Sequence, residues 1–409
     1  MKAKVVIVGA FLVAVIVILA LTWKGSGKPD AIGSDGTDGA LVAVATGSAG
    51  LASPPPSGAP VEISFLYSSE KKEWIEAVAA PFKAAHPEIT LTLLPRGSLA
   101  AAQAIVDDKE KPTVFSPADS LVMNLAVADW KTKGRGDLLA PSGDDAAQSL
   151  VITPLVFVIW EDRAEALLKA AKGNITWKTL HKAIVSNQGW PAVGGKAAWG
   201  FVKLGHTDPT QSNSGLQALY LMTLEYYGRP SVDVPDLLKP DYQTFIKETE
   251  KGVSKFEAST GTFMTEMVRF GPSKYDVAVV YENLAISQLV NAQGRWGNLK
   301  VYYPQTTLWS DHPAAIVQGD WVTPAQKQAA RVWLAHLRSR PSQERALAFG
   351  FRPGDPSVPV KSADAQNPWT KLAPYGIQID IPPVARAPEG PLVRNLLTMW
   401  SRVVDAPSR

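Results

Sequence analysis

The chain contains no cysteine, and this absence removes several kinds of chemistry at once. A protein of 409 residues without cysteine has no disulfide, no thiolate metal ligand and no cysteine nucleophile. It also has no residue that could carry a lipoprotein-type anchor, because that modification acylates a cysteine. The formal net charge is only +3 and no block of Lys or Arg stands out, so nucleic acid is not an expected partner.

Recognisable catalytic motifs are also missing. The sequence has no G-x-S-x-G elbow, no P-loop and no G-x-G-x-x-G. Its five histidines are scattered without metal-ligand spacing, so we expect no metal, no cofactor and no enzyme. His206 lies near Asp208 and Ser212, but crowding in one loop does not supply a separate nucleophile, base and orienting group. We expect a hydrogen-bonded loop histidine there.

The first 23 residues predict a membrane segment. Residues 5–21 carry no charge, and as a helix they would span roughly 26 Å, close to the hydrocarbon thickness of a bilayer. Lys2 and Lys4 precede the run, which predicts an inside N-terminus and an exported remainder. A cleaved signal peptide and an uncleaved anchor both remain open. The anchor is favoured, because residues 21–24 offer no good small-x-small cleavage site.

A linker is expected over residues 24–60, which are rich in Gly, Ser, Ala, Asp and Pro. Such a composition cannot bury enough apolar surface to fold, so we expect a disordered, flexible tether. The pattern changes at Val61, where β-rich and helical stretches begin to alternate. Strands are predicted at 61–67, 89–94 and 112–115, with helices between them, and this order indicates a parallel sheet in an α/β fold.

Small polar residues follow each of these three strands, directly before a helix. In open α/β sheets, ligands bind at the carboxyl ends of the strands, where helix N-termini present free backbone N–H groups. The alternative is that the serines are only N-caps. Three such positions together favour a binding cleft, with these candidates: Ser68, Ser69, Gly97, Ser98, Ser116 and Asp119.

A second lobe is expected to supply the other half of the site. The apolar run 150–160 is typical of a chain that crosses between lobes, and the polar loop 206–215 leads into a strongly apolar helix. A later strand, 275–280, ends directly before further polar residues. The candidates from this lobe are Asp208, Ser212, Asn213, Ser214, Tyr281 and Glu282.

Five short segments in this order resemble a known family. They are His86-Pro87-Glu88, Arg96-Gly97-Ser98, Asp208-Pro209 to Ser214-Gly215, Val279-Val280-Tyr281 and Gly350-Phe351-Arg352-Pro353. Over residues 61–360 the chain is similar to bacterial extracellular solute-binding proteins of the type II periplasmic-binding fold, nearest the molybdate- and sulfate-binding branch. The resemblance implies two α/β lobes that close on a small polar or anionic ligand, without catalysis, for ABC-type uptake.

The same resemblance implies how an oxyanion would be held. Hydroxyls and backbone N–H groups would contact it, from Ser68 or Ser69, from Ser98, from residues 212–215 and from Tyr281. Glu282 departs from this pattern, because an unpaired carboxylate would repel a dianion. If Glu282 faces the cleft, a sugar, polyol or amine suits the site better. If it faces solvent, the objection disappears.

The sequence thus predicts four parts: an anchor at 1–23, a linker at 24–60, a first lobe at 61–153 and 303–409, and a second lobe at 154–302. The expected location is the cell envelope, on the periplasmic or extracellular face. The expected partners are the ligand, the membrane through residues 5–21, and a permease or another envelope protein. A membrane-tethered sensor or assembly partner with the same fold, but without transport, is the alternative function.

Overall fold

The structure is a computed structural model that describes residues 60–362 and 364–404. The predicted membrane segment at 5–21 lies outside the described residues, as does the predicted linker apart from its last residue. Within the described ranges, no helix is both long enough and apolar enough to cross a membrane.

The described residues form 11 strands and 14 α-helices, numbered here in chain order. The strands are β1 (Val61–Ser68), β2 (Ile89–Arg96), β3 (Val114–Ser116), β4 (Gln148–Ser149), β5 (Val151–Trp160), β6 (Leu204–Gly205), β7 (Val277–Tyr281), β8 (Leu299–Tyr302), β9 (Trp309–Ser310), β10 (Pro313–Ile316) and β11 (Arg352–Pro353). The helices are α1 (Lys72–Ala85), α2 (Ser98–Val106), α3 (Ser120–Thr132), α4 (Glu161–Ala170), α5 (Trp177–Val185), α6 (Asn213–Tyr227), α7 (Val234–Leu237), α8 (Pro240–Glu250), α9 (Thr260–Phe270), α10 (Glu282–Ala292), α11 (Pro324–Arg338), α12 (Arg340–Ala348), α13 (Pro368–Lys371) and α14 (Gly390–Val403).

The first lobe is built on a five-stranded sheet in the order β2-β1-β3-β10-β4. Strand β1 runs parallel to β2 and β3, as the strand-helix-strand pattern predicts, and β10 joins antiparallel to β3. Alternation along β1 sends Phe65 and Tyr67 into the core that contains Trp74 and Trp333, and Leu66 into a second core on the opposite face. Both faces of the sheet are therefore covered, and the ends of its strands are left as the place where a binding site can form.

The second lobe is built on another sheet, in the order β11-β5-β7-β6, with β8 and β9 also paired to β5. The long strand β5 is antiparallel to β7, β8, β9 and β11, whereas β6 and β7 are parallel. Helix α6 is buried continuously from Asn213 to Leu224, as its strongly apolar sequence predicts. The two-lobed α/β architecture that the sequence predicts is confirmed.

The C-terminal part of the chain corrects the predicted division between lobes. Val393, Leu396 and Trp400 of α14 lie in the core of the second sheet, and the Trp400 indole donates a hydrogen bond to Glu250 Oε1 at 2.8 Å. Strands β9 and β11 also pair in that sheet. Helix α14 therefore packs on the core of the second sheet, although residues 303–409 were assigned to the first lobe, which it contacts through the Arg394–Asp129 ion pair. The apolar face of α14 specifies burial, but the sequence does not show against which lobe.

The described chain crosses between the lobes three times: at Leu150, at residues 311–312 and at residues 349–351. The crossings lie side by side. Leu150 N donates to the His312 carbonyl at 3.2 Å, and the His312 and Phe351 rings are 5.4 Å apart. His312 has φ +40°, a left-handed conformation that is uncommon outside glycine. The apolar run at 150–160 thus begins at a crossing and continues into the second sheet.

Candidate functional site

Polar side chains from both lobes meet between the two sheets, where the strands of the first lobe end. We call this group the interlobe cluster. The first lobe supplies residues that follow β1 and β3 and residues of the second crossing, and the second lobe supplies residues of α6, β7, β9 and α10. The members are Ser68, Glu70, Lys71, Ser116, Asp119, Asp311, His312, Asn213, Gln217, Tyr281, Asn283 and Ser310. All except Asp311 are almost fully buried.

Hydrogen bonds join the lobes directly through the interlobe cluster. Gln217 Nε2 of the second lobe donates to Asp119 Oδ2 of the first at 2.9 Å, and Asn283 Nδ2 donates to the backbone carbonyl of Glu70 at 3.3 Å. Nearby, the backbone N–H groups of Leu99 and Ala100 both donate to the Gln211 carbonyl at 3.1 Å. These contacts hold the two lobes in a closed arrangement.

Glycine is required where the lobes approach most closely. Gly97 caps the start of α2, and a Cβ atom built on it would lie 2.7 Å from the Ala258 carbonyl oxygen of the second lobe. Beside it, Ser69 begins the short turn after β1, and its carbonyl packs on Gly261. Gly97 and Ser69 thus lie at the interface, as the sequence predicts, but through their backbones.

The serines that follow β2 and β3 are bonded within the first lobe. Ser98 Oγ accepts a hydrogen bond from Ala118 N at 3.0 Å, which ties the start of α2 to the loop after β3. Ser116 accepts twice from the Lys71 ammonium, through Oγ at 2.7 Å and through its carbonyl at 2.9 Å. Both serines lie at the cleft, but their hydroxyls already have protein partners.

Lys71 is the one fully buried lysine in the described part of the chain. Its third hydrogen bond goes to the Pro117 carbonyl at 3.1 Å, so each of its three N–H groups has an acceptor. Burial lowers the pKa of Lys71 to about 7, against the opposing effect of the Glu70 and Asp311 carboxylates. The sequence did not predict this role, because a lysine at the start of an amphipathic helix is typical of an exposed position.

Glu70 and His312 face each other at the centre of the cluster. His312 Nδ1 lies 3.4 Å from Glu70 Oε1, within ion-pair distance, but the two atoms lack hydrogen-bond geometry. Burial raises the pKa of Glu70, partly opposed by the Lys71 charge. Burial also lowers the pKa of His312, and the Lys71 charge acts in the same direction. The imidazole is therefore neutral at physiological pH.

Asp119 is both an N-cap and a member of the cluster. Its Oδ1 accepts from Leu121 N at 2.7 Å at the start of α3, and its Oδ2 accepts from Gln217 across the interface. Burial, reinforced by the neighbouring Asp311 carboxylate, raises the pKa of Asp119 to about 7, and its hydrogen bonds oppose that rise. Asp119 is thus an N-cap, one of the two alternatives that the sequence left open, and its second oxygen bonds to the other lobe.

The polar loop of the second lobe divides into two groups. Ser214 Oγ bonds to Thr207 Oγ1 at 2.7 Å and to Thr260 Oγ1 at 2.6 Å, and Ser212 Oγ bonds to Thr260 Oγ1 at 3.2 Å. These hydroxyls fasten the loop to the start of α9. Asn213 differs, because its Nδ2 donates to the Tyr281 hydroxyl at 3.0 Å, which places the amide in the interlobe cluster.

Two predicted candidates have their carboxylates paired elsewhere. Glu282 is fully buried, and its two oxygens accept from Arg352 Nε and Nη2 at 2.8 Å each. Neither expectation for Glu282, toward the cleft or toward solvent, was right, because its charge is neutralised inside the protein. Asp208 accepts from Thr210 N at 2.8 Å within its own loop. Neither carboxylate is available as a ligand contact.

Several buried atoms of the interlobe cluster have no well-formed hydrogen bond among the described residues. They are Ser68 Oγ, Glu70 Oε1, Asn213 Oδ1, Gln217 Oε1, Asn283 Oδ1 and both ring nitrogens of His312. Buried polar atoms in folded proteins are nearly always paired, because an unpaired one loses its bond to water. A group of seven at one interface therefore marks a place where ordered water or a bound molecule would supply the missing partners.

Comparisons with known proteins agree with this architecture. The family model for bacterial extracellular solute-binding proteins matches residues 63–352. A periplasmic thiamin-binding protein superposes with a TM-score of 0.59 at 14% identity, over 88% of this chain and 100% of that one. The fructose-6-phosphate-bound AfuA of Actinobacillus pleuropneumoniae gives 0.54 at 14%, over 86% and 100%.

The sulfate-binding protein SubI of Mycobacterium tuberculosis H37Rv gives a TM-score of 0.51 at 16% identity, over 79% of this chain and 93% of that one. A search of curated protein sequences gives no significant match. The structural likenesses, at these identities, show the fold. The family match covers most of the chain and lies on both lobes. The chain belongs to the family of bacterial extracellular solute-binding proteins.

Proposed function

We propose that this protein captures a small polar solute in the cleft between its lobes and delivers it to an ABC-type permease in the membrane. The observation that carries the proposal is the set of seven unpaired buried atoms in the interlobe cluster. They come from both lobes: Ser68, Glu70 and His312 from the first lobe and its crossing, and Asn213, Gln217 and Asn283 from the second. A solute that contacts both sets is bound fully only when the lobes are closed.

The mechanism is hinge closure, driven by contacts that exist only in the closed form. The crossings at Leu150, 311–312 and 349–351 lie together, so rotation there opens or closes the whole cleft. Direct bonds such as Gln217 to Asp119 already favour closure. A solute adds further hydrogen bonds to the closed form, and release to the permease would require these bonds to break.

The role is proposed to be one of binding, without catalysis, on the outer side of the membrane. Residues 5–21 would direct export and hold the chain at the membrane, which keeps the captured solute near its permease. The sulfate, thiamin and sugar-phosphate proteins of the same fold show how varied the solutes of this architecture are. None of these solutes transfers to this chain by likeness of fold.

The test is thermal unfolding of the full chain in detergent with separate oxyanion, sugar and amine panels. A true ligand raises the melting temperature with its concentration, because it binds only the folded form. Asn213→Ala should reduce that rise by removing a cleft amide. Asn291→Ala, an exposed asparagine on α10, is the matched control and should leave the rise unchanged. If no solute class raises the melting temperature, solute capture is wrong and the tethered sensor or assembly role gains support.

A further inference from the structure

The unpaired side-chain oxygens of the interlobe cluster are mostly hydrogen-bond acceptors. The amide nitrogen of Asn213 already donates to the Tyr281 hydroxyl. The amide nitrogen of Gln217 donates to Asp119, and that of Asn283 donates to the Glu70 carbonyl. For Gln217 and Asn283 the partner is a carboxylate or carbonyl oxygen, which fixes the amide, and in all three residues the amide oxygen is unpaired. The Glu70 carboxylate adds an oxygen that, when ionised, can only accept. A molecule that pairs with these atoms must bring N–H or O–H groups.

At two helix starts of the first lobe, the backbone donors that could hold an anion are already bonded to the protein. At the start of α2, the N–H groups of Leu99 and Ala100 donate to the Gln211 carbonyl. At the start of α3, Ser120 N donates to Asp311 Oδ1 at 2.8 Å and Leu121 N donates to Asp119 Oδ1. Helix N-termini are the usual anion sites of such folds, so these pairings remove the first lobe's share of the donors at α2 and α3.

The buried lysine offers an anion no free donor either. All three N–H groups of Lys71 are directed at Ser116 and Pro117 oxygens. An anion would have to displace those acceptors, which belong to the rigid end of β3. Lys71 therefore neutralises charge within the first lobe and does not serve as a ligand contact.

The charge around the cleft also favours a cation. The carboxyl groups of Glu70 and Asp311 interact with one ammonium, that of Lys71, and Asp311 also interacts with the Asp119 carboxyl group. The guanidinium of Arg352 does not alter this balance, because it is paired with Glu282. A desolvated dianion would be repelled by this group, whereas a cation would gain from it.

We infer that the solute captured by the interlobe cluster is an organic cation, with a protonated amine and further N–H or O–H donors, and not an oxyanion. The inference rests on the proposed function and names its ligand class. The ammonium would lie between Glu70 and Asp119, and the amide oxygens of Asn213, Gln217 and Asn283 would accept the remaining donors.

The experiment measures binding to the full chain in detergent by calorimetry and thermal unfolding. The probes are sulfate, molybdate and phosphate, then glucose and inositol, then putrescine, spermidine and choline. We expect at least one amine to bind and the oxyanions to give no response. Glu70→Gln should weaken amine binding about tenfold or more, since it removes one charge-assisted hydrogen bond. Glu62→Gln, an exposed glutamate on β1, is the control and should leave binding unchanged.

A second measurement needs no variant. Acidification from pH 8 to pH 5 should weaken amine binding, because the raised pKa values of Glu70 and Asp119 favour loss of their negative charge and the lowered pKa of Lys71, about 7, places its gain of positive charge in the same range. These three groups act in the same direction, whereas an oxyanion would bind more tightly at low pH.

The outcomes separate the two proposals. Binding of oxyanions alone, or of neutral sugars alone, would refute the cationic class while leaving solute capture intact. Amine binding that ignores both the Glu70 substitution and pH would also refute it, because the charge of the cluster would then play no part. No binding by any probe class would refute solute capture itself.

Discussion

A methyl group at Gly97 should oppose closure of the lobes without disturbing either lobe. The backbone of Gly97 has φ −61° and ψ 136°, which alanine adopts without strain. The added Cβ, however, would lie 2.7 Å from the Ala258 carbonyl oxygen and 2.9 Å from the Gln211 carbonyl oxygen. Both oxygens belong to the second lobe, so the clash exists only while the lobes are closed.

The size of the effect follows from these contacts. The two carbonyls must move by several tenths of an ångström, and overpacking of this kind costs about 1–3 kcal/mol. The Gln211 carbonyl also accepts the interlobe bonds from Leu99 N and Ala100 N, so its displacement lengthens them as well. A penalty confined to the closed form weakens solute affinity by about 5- to 150-fold.

Titration calorimetry of Gly97→Ala with whichever solute binds, together with urea unfolding without solute, tests this reasoning. We expect weaker affinity and a loss of solute-free stability smaller than the full penalty, because the solute-free lobes can open to relieve the clash. Gly136→Ala is the control, since its new Cβ would meet no atom of the described residues within 4 Å. If Gly97→Ala lowers solute-free stability by the full penalty and leaves affinity alone, the contact is a permanent part of the fold and the hinge mechanism is wrong.

Two further predictions concern the buried charges. Arg352→Ala leaves the Glu282 carboxylate buried without its counterion and should lower the free energy of unfolding in urea by about 3–5 kcal/mol. The double variant Arg352→Met and Glu282→Leu should recover most of that loss. Unchanged stability of Arg352→Ala would contradict the pairing. The Asp119 pKa is raised from 3.8 to about 7, so its contribution to stability is present below about pH 4 and lost as the pH rises through 7, a change on the order of 4 kcal/mol. Asp119→Asn removes this change, so the stability of the variant relative to the parent protein should rise between pH 4 and pH 7. Paired curves of unfolding free energy against pH measure this difference, and parallel curves would refute the raised pKa. Because the low pKa of His312 makes the parent protein less stable in acid, only the difference between the two curves isolates Asp119.

Local sequence patterns were sufficient for much of the fold. The alternation in 61–67, the helix after it and the buried helix from Asn213 are each encoded within a short window, and the structure has them where they were expected. The strand-end rule also predicted that residues near Ser68 and Asp119 would lie together, because β1 and β3 are parallel and end at the same edge of the first sheet.

The charged centre of the site could not be predicted in the same way. Glu70 and Lys71 stand at the start of a helix, where charged residues are usually exposed, and only the end of β3 buries them. His312 reaches the cluster because β10 returns to the first sheet beside β3, which is a pairing across about 200 residues. The Glu282 carboxylate finds Arg352 from a strand 70 residues later. These partners depend on long-range pairing, which no local pattern encodes.

The three adjacent crossings have a mechanical consequence. A single linker would leave two rigid bodies free to twist, slide and bend relative to one another, whereas three strands side by side suppress twisting and sliding and leave essentially one rotation. The second crossing includes His312, whose ring lies in the interlobe cluster and whose φ of +40° is held by the surrounding structure. In the proposed mechanism, a solute that contacts that ring acts directly on the hinge about which the lobes rotate. In that mechanism, binding of a solute changes one quantity, the angle between the lobes. A partner on the outer surface detects that angle without contacting the solute.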